Sequence, residues 1–422
     1  MKSPPSPGAG YSASRERMNL GVGWYWGARW SDGGRQSHDA TAKRQSSFAD
    51  IPTGYLQGFK NTTIQSSIGG QAICISGMMD VTASANNTEI KLPDPANQTE
   101  VTERLAEFVQ INSTLGQQAL GGVNPVNGTF GIYSQLCFPA TTGTINATTL
   151  QFLIHGSGLD RSYWNFAQGY SYVDYAAQQG YTTFFYDRLG TGLSDHPDGT
   201  QIVQIALQVE IAHELVQLLR TGAISNQTFE HVVGVGHSFG SFQTNRLTAL
   251  HPDDLDAAVL TGFSTDKSGL QLGFAGFDLT IASQAYPERF SDLSNSYLTG
   301  PTIEGTQYFF FRWPGFDTAI LDSADASKAG ISWGEFFVDG PMVANNFTGP
   351  VDVVNGEFDL PNCHGNCLVP SNKLTPVKDV YYPAASNFSW YVGPDSGHAL
   401  NLHYAAPGAY EHIHNFLRTN GL

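Results

Sequence analysis

Val232-Val233-Gly234-Val235-Gly236-His237-Ser238-Phe239-Gly240 is the stretch on which the fold turns. An apolar run leads into a serine set between two glycines, and Phe242 to Leu250 then reads as a helix. A serine at such a strand-to-helix junction forms a nucleophile elbow. The turn is so tight that side chains two positions either side of the serine would collide, which calls for glycine at 236 and 240. The strain lifts the Ser238 hydroxyl above the carboxyl end of a sheet, where a substrate can reach it.

Working outward, strands alternate with helices. Thr149 to His155, Tyr181 to Tyr186, Val232 to Val235 and Ala257 to Thr261 read as buried strands, with helices at Tyr170 to Gln179 and Ile202 to Thr221. This alternation predicts an α/β fold with a mainly parallel sheet and helices on both faces. Before it, strands at Gly69 to Thr82 and Thr129 to Phe138, with a helix at Asn97 to Ile111, form an N-terminal β-containing extension. Residues 45–130 match no motif. After Thr261 the pattern breaks, and residues 265–348 carry irregularly spaced aromatics, among them Phe274, Phe277, Phe309, Phe310, Trp313 and Phe316. An insertion of that size between sheet strands reads as a cap over an active site. The expected organisation is therefore a disordered leader or processed segment over 1–48, the N-terminal layer and first part of the core over 49–264, the cap over 265–348, and the rest of the core over 349–422.

A serine hydroxyl is a weak nucleophile near neutral pH. It needs an adjacent base, and the base needs an orienting carboxylate. Beyond the insertion, Val351 to Asn355 reads as a strand, followed by Gly356-Glu357-Phe358-Asp359. Asp359, just past the strand's carboxyl end, is the expected acid, with Glu357 the fallback; Asp352 lies within the strand. Trp390-Tyr391-Val392 reads as the last strand, and its loop carries His398, the expected base. His237 adjoins the serine but is aimed away from it, and His403, His412 and His414 are read as structural residues of a final helix. A tetrahedral intermediate needs two N–H donors. Phe239 supplies one, and Ser157 in His155-Gly156-Ser157-Gly158 the other, with Gly158 as an alternative. Asp187-Arg188-Leu189-Gly190-Thr191-Gly192 lacks the lysine and spacing of a phosphate loop and reads as a turn whose charges tie loops together.

These motifs resemble the α/β-hydrolase fold, in the large capped family that includes esterases, lipases, lactonases, epoxide hydrolases and dehalogenases. The resemblance covers roughly residues 130–420 and rests on the His155 and Asp187-Arg188 loops, the elbow, Gly356 to Asp359 and Gly397-His398. Family epoxide hydrolases and haloalkane dehalogenases carry an aspartate at the elbow, so Ser238 argues against both. Cys363 and Cys367 after the acid, with Gly397 to His403, are similar to secreted fungal members. The resemblance implies a serine hydrolase that cleaves an ester or lactone of an apolar or aromatic small molecule. The same triad serves acyltransferases, cyclases and carbon–carbon hydrolases, and a hydrolase-like binding scaffold is the remaining alternative. No cofactor is expected, and no metal.

Composition sets the boundaries. The chain has 422 residues, 41% of them hydrophobic, and a net charge of −16, which repels nucleic acid. No apolar run is long enough to span a membrane. Of four cysteines, local spacing favours Cys363 with Cys367, leaving Cys74 with Cys137. Nine N-x-S/T acceptors favour a glycosylated, secreted protein. The N-terminus has no uninterrupted apolar signal stretch, and Lys43-Arg44 resembles a dibasic processing site.

Overall fold

A computed structural model describes residues 53–110, 112–140, 148–337 and 340–422. The segment over 1–48 expected to be a leader, with Lys43-Arg44, lies outside the described residues. Nine strands form the main sheet. β1 (Lys60–Ser66), β2 (Ala72–Ile90) and β3 (Leu120–Pro139) are antiparallel, and β3 joins β5 (Thr182–Tyr186) antiparallel. From there β4 (Thr149–Ile154), β6 (His231–His237), β7 (Ala257–Thr261), β11 (Val351–Gly356) and β12 (Phe388–Gly393) run parallel with β5, in the spatial order β1-β2-β3-β5-β4-β6-β7-β11-β12.

The parallel strands read as apolar runs because both their faces are covered. β4, β5, β7 and β11 are buried at every position. Helix α1 is Gln98–Phe108, α2 Tyr172–Gln178, α3 Ile205–Arg220 and α4 Phe239–Leu250. On α3, Leu207, Ile211, Leu215 and Leu219 recur at helical spacing and are buried. Each such side chain stabilises the fold by roughly 1.5–3 kcal/mol. α1 starts where expected, with the Asn97 side chain accepting from the Glu100 N–H.

The N-terminal layer departs from expectation in length. β2 and β3 each run to about twenty residues, as a continuous antiparallel ladder from Ala72↔Pro139 to Ile90↔Leu120. Their outer halves are Asn-, Thr- and Gly-rich, and the expected strands stop at Thr82 and begin only at Thr129. Side-chain bonds to the core lock them instead: Asn87 Nδ2 of β2 donates to the carbonyls of Gln201 and Ile202, and Gln204 Nε2 donates to that of Thr88. Cys74 and Cys137 sit directly opposite and are joined by a disulfide, as are Cys363 and Cys367. By chain entropy the first, closing a 63-residue separation, stabilises by about 4 kcal/mol, and the second, spanning only 4, by about 2. The short bridge therefore acts chiefly on the loop that follows Asp359.

Between β7 and β11 the chain forms α5 (Leu270–Phe277), α6 (Ile303–Phe310) and α7 (Thr318–Ser327). It also forms an antiparallel three-stranded sheet of β8 (Thr280–Ile281), β9 (Tyr297–Thr299) and β10 (Ile331–Ser332), then a 3-10 turn over Trp333–Phe336. Its aromatics divide. Phe277, Phe309, Phe310, Phe311 and Phe316 are buried, whereas Tyr308 and Trp313 are exposed. The last helix, α8, is Ala406–Thr419. His412 and His414 lie on it, but His403 does not, because the chain turns at Leu400–Leu402 before α8 begins at Ala406.

Candidate functional site

The carboxyl ends of β4, β5, β6, β11 and β12 share one edge, the place where ligands sit in parallel sheets. At the end of β6, Ser238 adopts φ 54° and ψ −117°, a left-handed conformation that non-glycine residues rarely occupy. The flanking glycines are required by space. A Cβ on Gly236 would lie 2.5 Å from the Gly240 carbonyl oxygen, and one on Gly240 would lie 2.1 Å from that of Ile154. Three backbone bonds stabilise the elbow: the Ser238 N–H donates to the Thr261 carbonyl at 2.8 Å, and the Ser238 carbonyl accepts from the N–H groups of Ser241 at 2.8 Å and Phe242 at 3.1 Å.

Three sequence-predicted side chains meet here. Ser238 Oγ lies 2.7 Å from His398 Nε2, and His398 Nδ1 lies 2.8 Å from Asp359 Oδ2. The carboxylate can only accept, so Nδ1 carries the proton and Nε2 is free to accept from the serine. Asp359 is buried, and its other oxygen accepts from the Asn362 N–H at 2.8 Å. The fallback acid, Glu357, instead accepts from the Asp395 N–H. Asp352 sits at the opposite end of β11 and bonds His412 Nε2 at 3.0 Å.

His237 makes no hydrogen bond to Ser238. Its Nδ1 bonds Thr261 Oγ1 at 3.0 Å, and its ring stacks on Tyr163. Burial, with His398 beside it, pushes its pKa well below the ordinary value.

Phe239 opens α4, so its N–H is among the first-turn amides that have no carbonyl partner within the helix. Ser157 follows Gly156, whose Cβ, if present, would lie 2.9 Å from that of Ser238. The Arg188 backbone N–H donates to His155 Nε2 at 3.0 Å, leaving Nδ1–H to donate to the Gly156 carbonyl at 2.9 Å. Burial pushes the His155 pKa well down, in keeping with that neutral tautomer.

A cavity of about 100 Å³ adjoins the serine. It is lined by Ser157, Ser238, Phe239, Phe274, Phe309 and Phe336, among others, with Glu335 its one carboxylate and Phe108 its contribution from α1. Nothing in the sequence singled out two of these lining residues, Phe108 and Glu335. The role of His403 was also missed, since it read as a structural residue of the final helix. His403 Nε2 in fact accepts from the backbone N–H groups of both Gly397 and Arg312, each at 3.0 Å. The Gly397-His398 signal marked the loop, but nothing local marked its support.

Among the described residues one group brings metal-ligating atoms together, those of His213, His251 and Asp254 within 4.8 Å. The two imidazoles stack at 3.8 Å and 14°, so their lone pairs run side by side instead of converging. Each ring has its own carboxylate: His213 pairs with Asp254 and His251 with Glu210. His251 follows α4, at the other end of that helix from Ser238.

The site defines the class: the model of the Alpha/beta hydrolase family matches residues 152–410, more than half of the chain, and the chain belongs to that family. No curated protein matches it. Among solved structures it is similar to a thermophilic esterase from Thermogutta terrifontis, at 14% identity over 70% of this chain and 96% of that one, with a TM-score of 0.48. It is also similar to an esterase from Exiguobacterium antarcticum (14% identity, 68% and 96% covered, TM-score 0.46) and to an epoxide hydrolase from Vigna radiata (13%, 68% and 95%, 0.48). Among the described residues no helix is long and apolar enough to cross a membrane.

Proposed function

We propose that this chain is a serine hydrolase that cleaves a carboxylic ester or lactone of an apolar or aromatic substrate through an acyl-enzyme. The observation that carries the reading is the unbroken line from Ser238 Oγ through the His398 ring to Asp359, with contacts of 2.7 and 2.8 Å. As Oγ attacks the carbonyl carbon, His398 Nε2 takes its proton, and Asp359 stabilises the imidazolium that forms. The carbonyl π electrons move onto oxygen, and the Ser157 and Phe239 amides donate to that oxyanion. Collapse breaks the bond to the leaving alkoxide, which takes the proton from Nε2. A water then loses a proton to Nε2 and attacks the acyl carbon, and the carboxylic acid leaves as Ser238 is reprotonated.

We read residues 265–348 as a cap. The Phe309 and Phe310 rings lie 5.7 and 6.1 Å from the His398 ring, which supports that placement over the serine and favours apolar acyl or alcohol groups. We read the protein as secreted, glycosylated and of fungal type. Two disulfides support secretion, as does the exposure of all eight described acceptor asparagines (Asn61, Asn86, Asn97, Asn112, Asn127, Asn226, Asn346 and Asn387). Asn146 lies outside the described residues. The fungal reading rests on the sequence resemblance around Cys363–Cys367 and Gly397–His403.

The test is labelling by a fluorophosphonate probe together with hydrolysis of p-nitrophenyl esters. Wild-type protein is expected to label and turn over, and Ser238→Ala to do neither. A Ser238→Ala protein with full esterase activity overturns the reading.

A further inference from the structure

Arg188 and Glu335 form a buried ion pair that joins two distant parts of the chain, the loop after β5 and the 3-10 turn at the end of the insertion. Both side chains are almost wholly enclosed. Two of their further contacts fall on adjacent residues, one on the Gly156 carbonyl and one on the Ser157 hydroxyl. Arg188 Nη2 donates to the Gly156 carbonyl at 3.3 Å, and Ser157 Oγ donates to Glu335 Oε2, also at 3.3 Å. A trans peptide holds its C=O and N–H antiparallel in one plane. Fixing the Gly156 oxygen on the Arg188 side therefore turns the Ser157 N–H to the opposite side. The Arg188 guanidinium also lies 4.9 Å over the ring of Phe239, the residue that supplies the second amide. Gln208 closes the network, accepting from Arg188 Nη1 at 2.6 Å and donating to Glu335 Oε1 at 3.0 Å.

We propose that Arg188 and Glu335 are positioning residues that set the direction of the Ser157 N–H toward the developing oxyanion, so that seating of the insertion is coupled to acyl transfer. This rests on the serine hydrolase reading above. Neither residue touches the reacting atoms; the pair acts through the Gly156–Ser157 peptide. His155 also donates to the Gly156 carbonyl but belongs to the same loop, so it cannot register where the insertion sits. Glu335 can, because it is carried by the insertion.

A direction set by hydrogen bonds matters most when charge builds on the substrate oxygen, since the donors must already point at the place where it appears. Loss of the pair should thus weaken binding of the transition state and leave ground-state binding nearly intact.

The experiment compares wild type with Glu335→Gln, Glu335→Ala and the double variant Arg188→Met with Glu335→Leu. Removing Glu335 alone strands a buried guanidinium, which destabilises the fold by itself, whereas the double variant removes both charges and keeps the volume. On p-nitrophenyl acetate, Glu335→Ala and the double variant are expected to lose about 10- to 100-fold in kcat with KM within about twofold, and Glu335→Gln to lose less. Affinity for an alkyl boronic acid, which forms a tetrahedral adduct on the serine, should fall by the same factor as kcat/KM. Affinity for an unreactive amide analogue of the substrate should hold.

Melting curves and circular dichroism confirm that the double variant is folded. A folded double variant with wild-type kcat and wild-type boronate affinity overturns the proposal. Equal losses in boronate and amide affinity overturn it too, since they mark a general disturbance of the pocket. Failure of the wild-type protein itself to react with a fluorophosphonate would instead defeat the underlying hydrolase reading.

Discussion

His403 holds Gly397 in place, its Nε2 accepting the Gly397 N–H at 3.0 Å one residue before His398, the proposed base. The same nitrogen accepts the Arg312 N–H from the insertion, and Nδ1–H donates to the Ala399 carbonyl at 2.9 Å, which fixes the tautomer. One imidazole thus anchors the base loop and the chain that leaves α6. In His403→Phe the ring volume stays, but both amides lose their acceptor, at a cost of about 1–3 kcal/mol for each buried one. We expect a lower denaturation midpoint in urea, and a fall in kcat that His403→Gln, whose amide oxygen can accept one N–H, partly restores. A His403→Phe protein as stable and active as wild type would show that this anchor is dispensable.

Burial also makes His403 a source of acid sensitivity, together with His414. Desolvation brings both from an ordinary value near 6.5 to about 4 in the folded protein. As pH falls from about 6.5 to 4 the unfolded chain takes up protons that the folded chain refuses, so stability drops. Each histidine contributes up to about 1.4 kcal/mol per pH unit within that window, and the stabilisation is fully present above it. Equilibrium unfolding in urea at a series of pH values should therefore show falling free energy below pH 6.5. His414→Gln should reduce the slope by up to one proton's worth, and an unchanged slope would assign the sensitivity elsewhere.

Asp352 lies within β11 and Asp359 just beyond its carboxyl end, and the two test which carboxylate orients the proposed base. In Asp359→Asn the amide can turn its NH₂ toward His398 Nδ1, favouring the tautomer whose Nε2 carries the proton and cannot accept from Ser238. We expect kcat to fall by about 10²- to 10⁴-fold with the fold intact. Asp352→Asn disturbs only the contact to His412, so its kcat on p-nitrophenyl acetate should stay within about twofold. Similar activity losses in both variants would sink the assignment of Asp359.

What the sequence disclosed follows from distance along the chain. Ser238, Asp359, His398 and Ser157 each stand directly after an apolar strand, so one strand reading places every one of them at the same sheet edge. Asp187 and Arg188 were legible for the same reason, as charges on a strand-end turn. Glu335 was not, because its meaning comes from Arg188, 147 residues earlier, and from Ser157, 178 earlier. The polar outer halves of β2 and β3 were hidden too, since their ladder is closed by side chains from Gln201 and Gln204, more than a hundred residues on. Local composition has no access to such partners.

Phe108 is the residue through which the N-terminal layer enters the site, and it leads to a prediction on substrate length. The cavity at Ser238, about 100 Å³, and a second of about 230 Å³, lined by Ser113, Gln117, Leu120, Gln271 and Phe337 among others, share Phe108 and Phe336. The two shared rings meet edge to face at 6.3 Å and 90°, a barrier between the compartments. The inner space is smaller than the roughly 150 Å³ void that admits benzene, so a short acyl group fits and a longer chain must part the rings. With p-nitrophenol held constant as leaving group, wild-type kcat/KM should favour acetate and butyrate over octanoate. Phe108→Ala joins the cavities and should raise the octanoate-to-acetate ratio about tenfold or more, while Phe108→Trp should lower it. A ratio that stays put in both variants would mean that the acyl chain leaves the serine by another route and that α1 only covers the core.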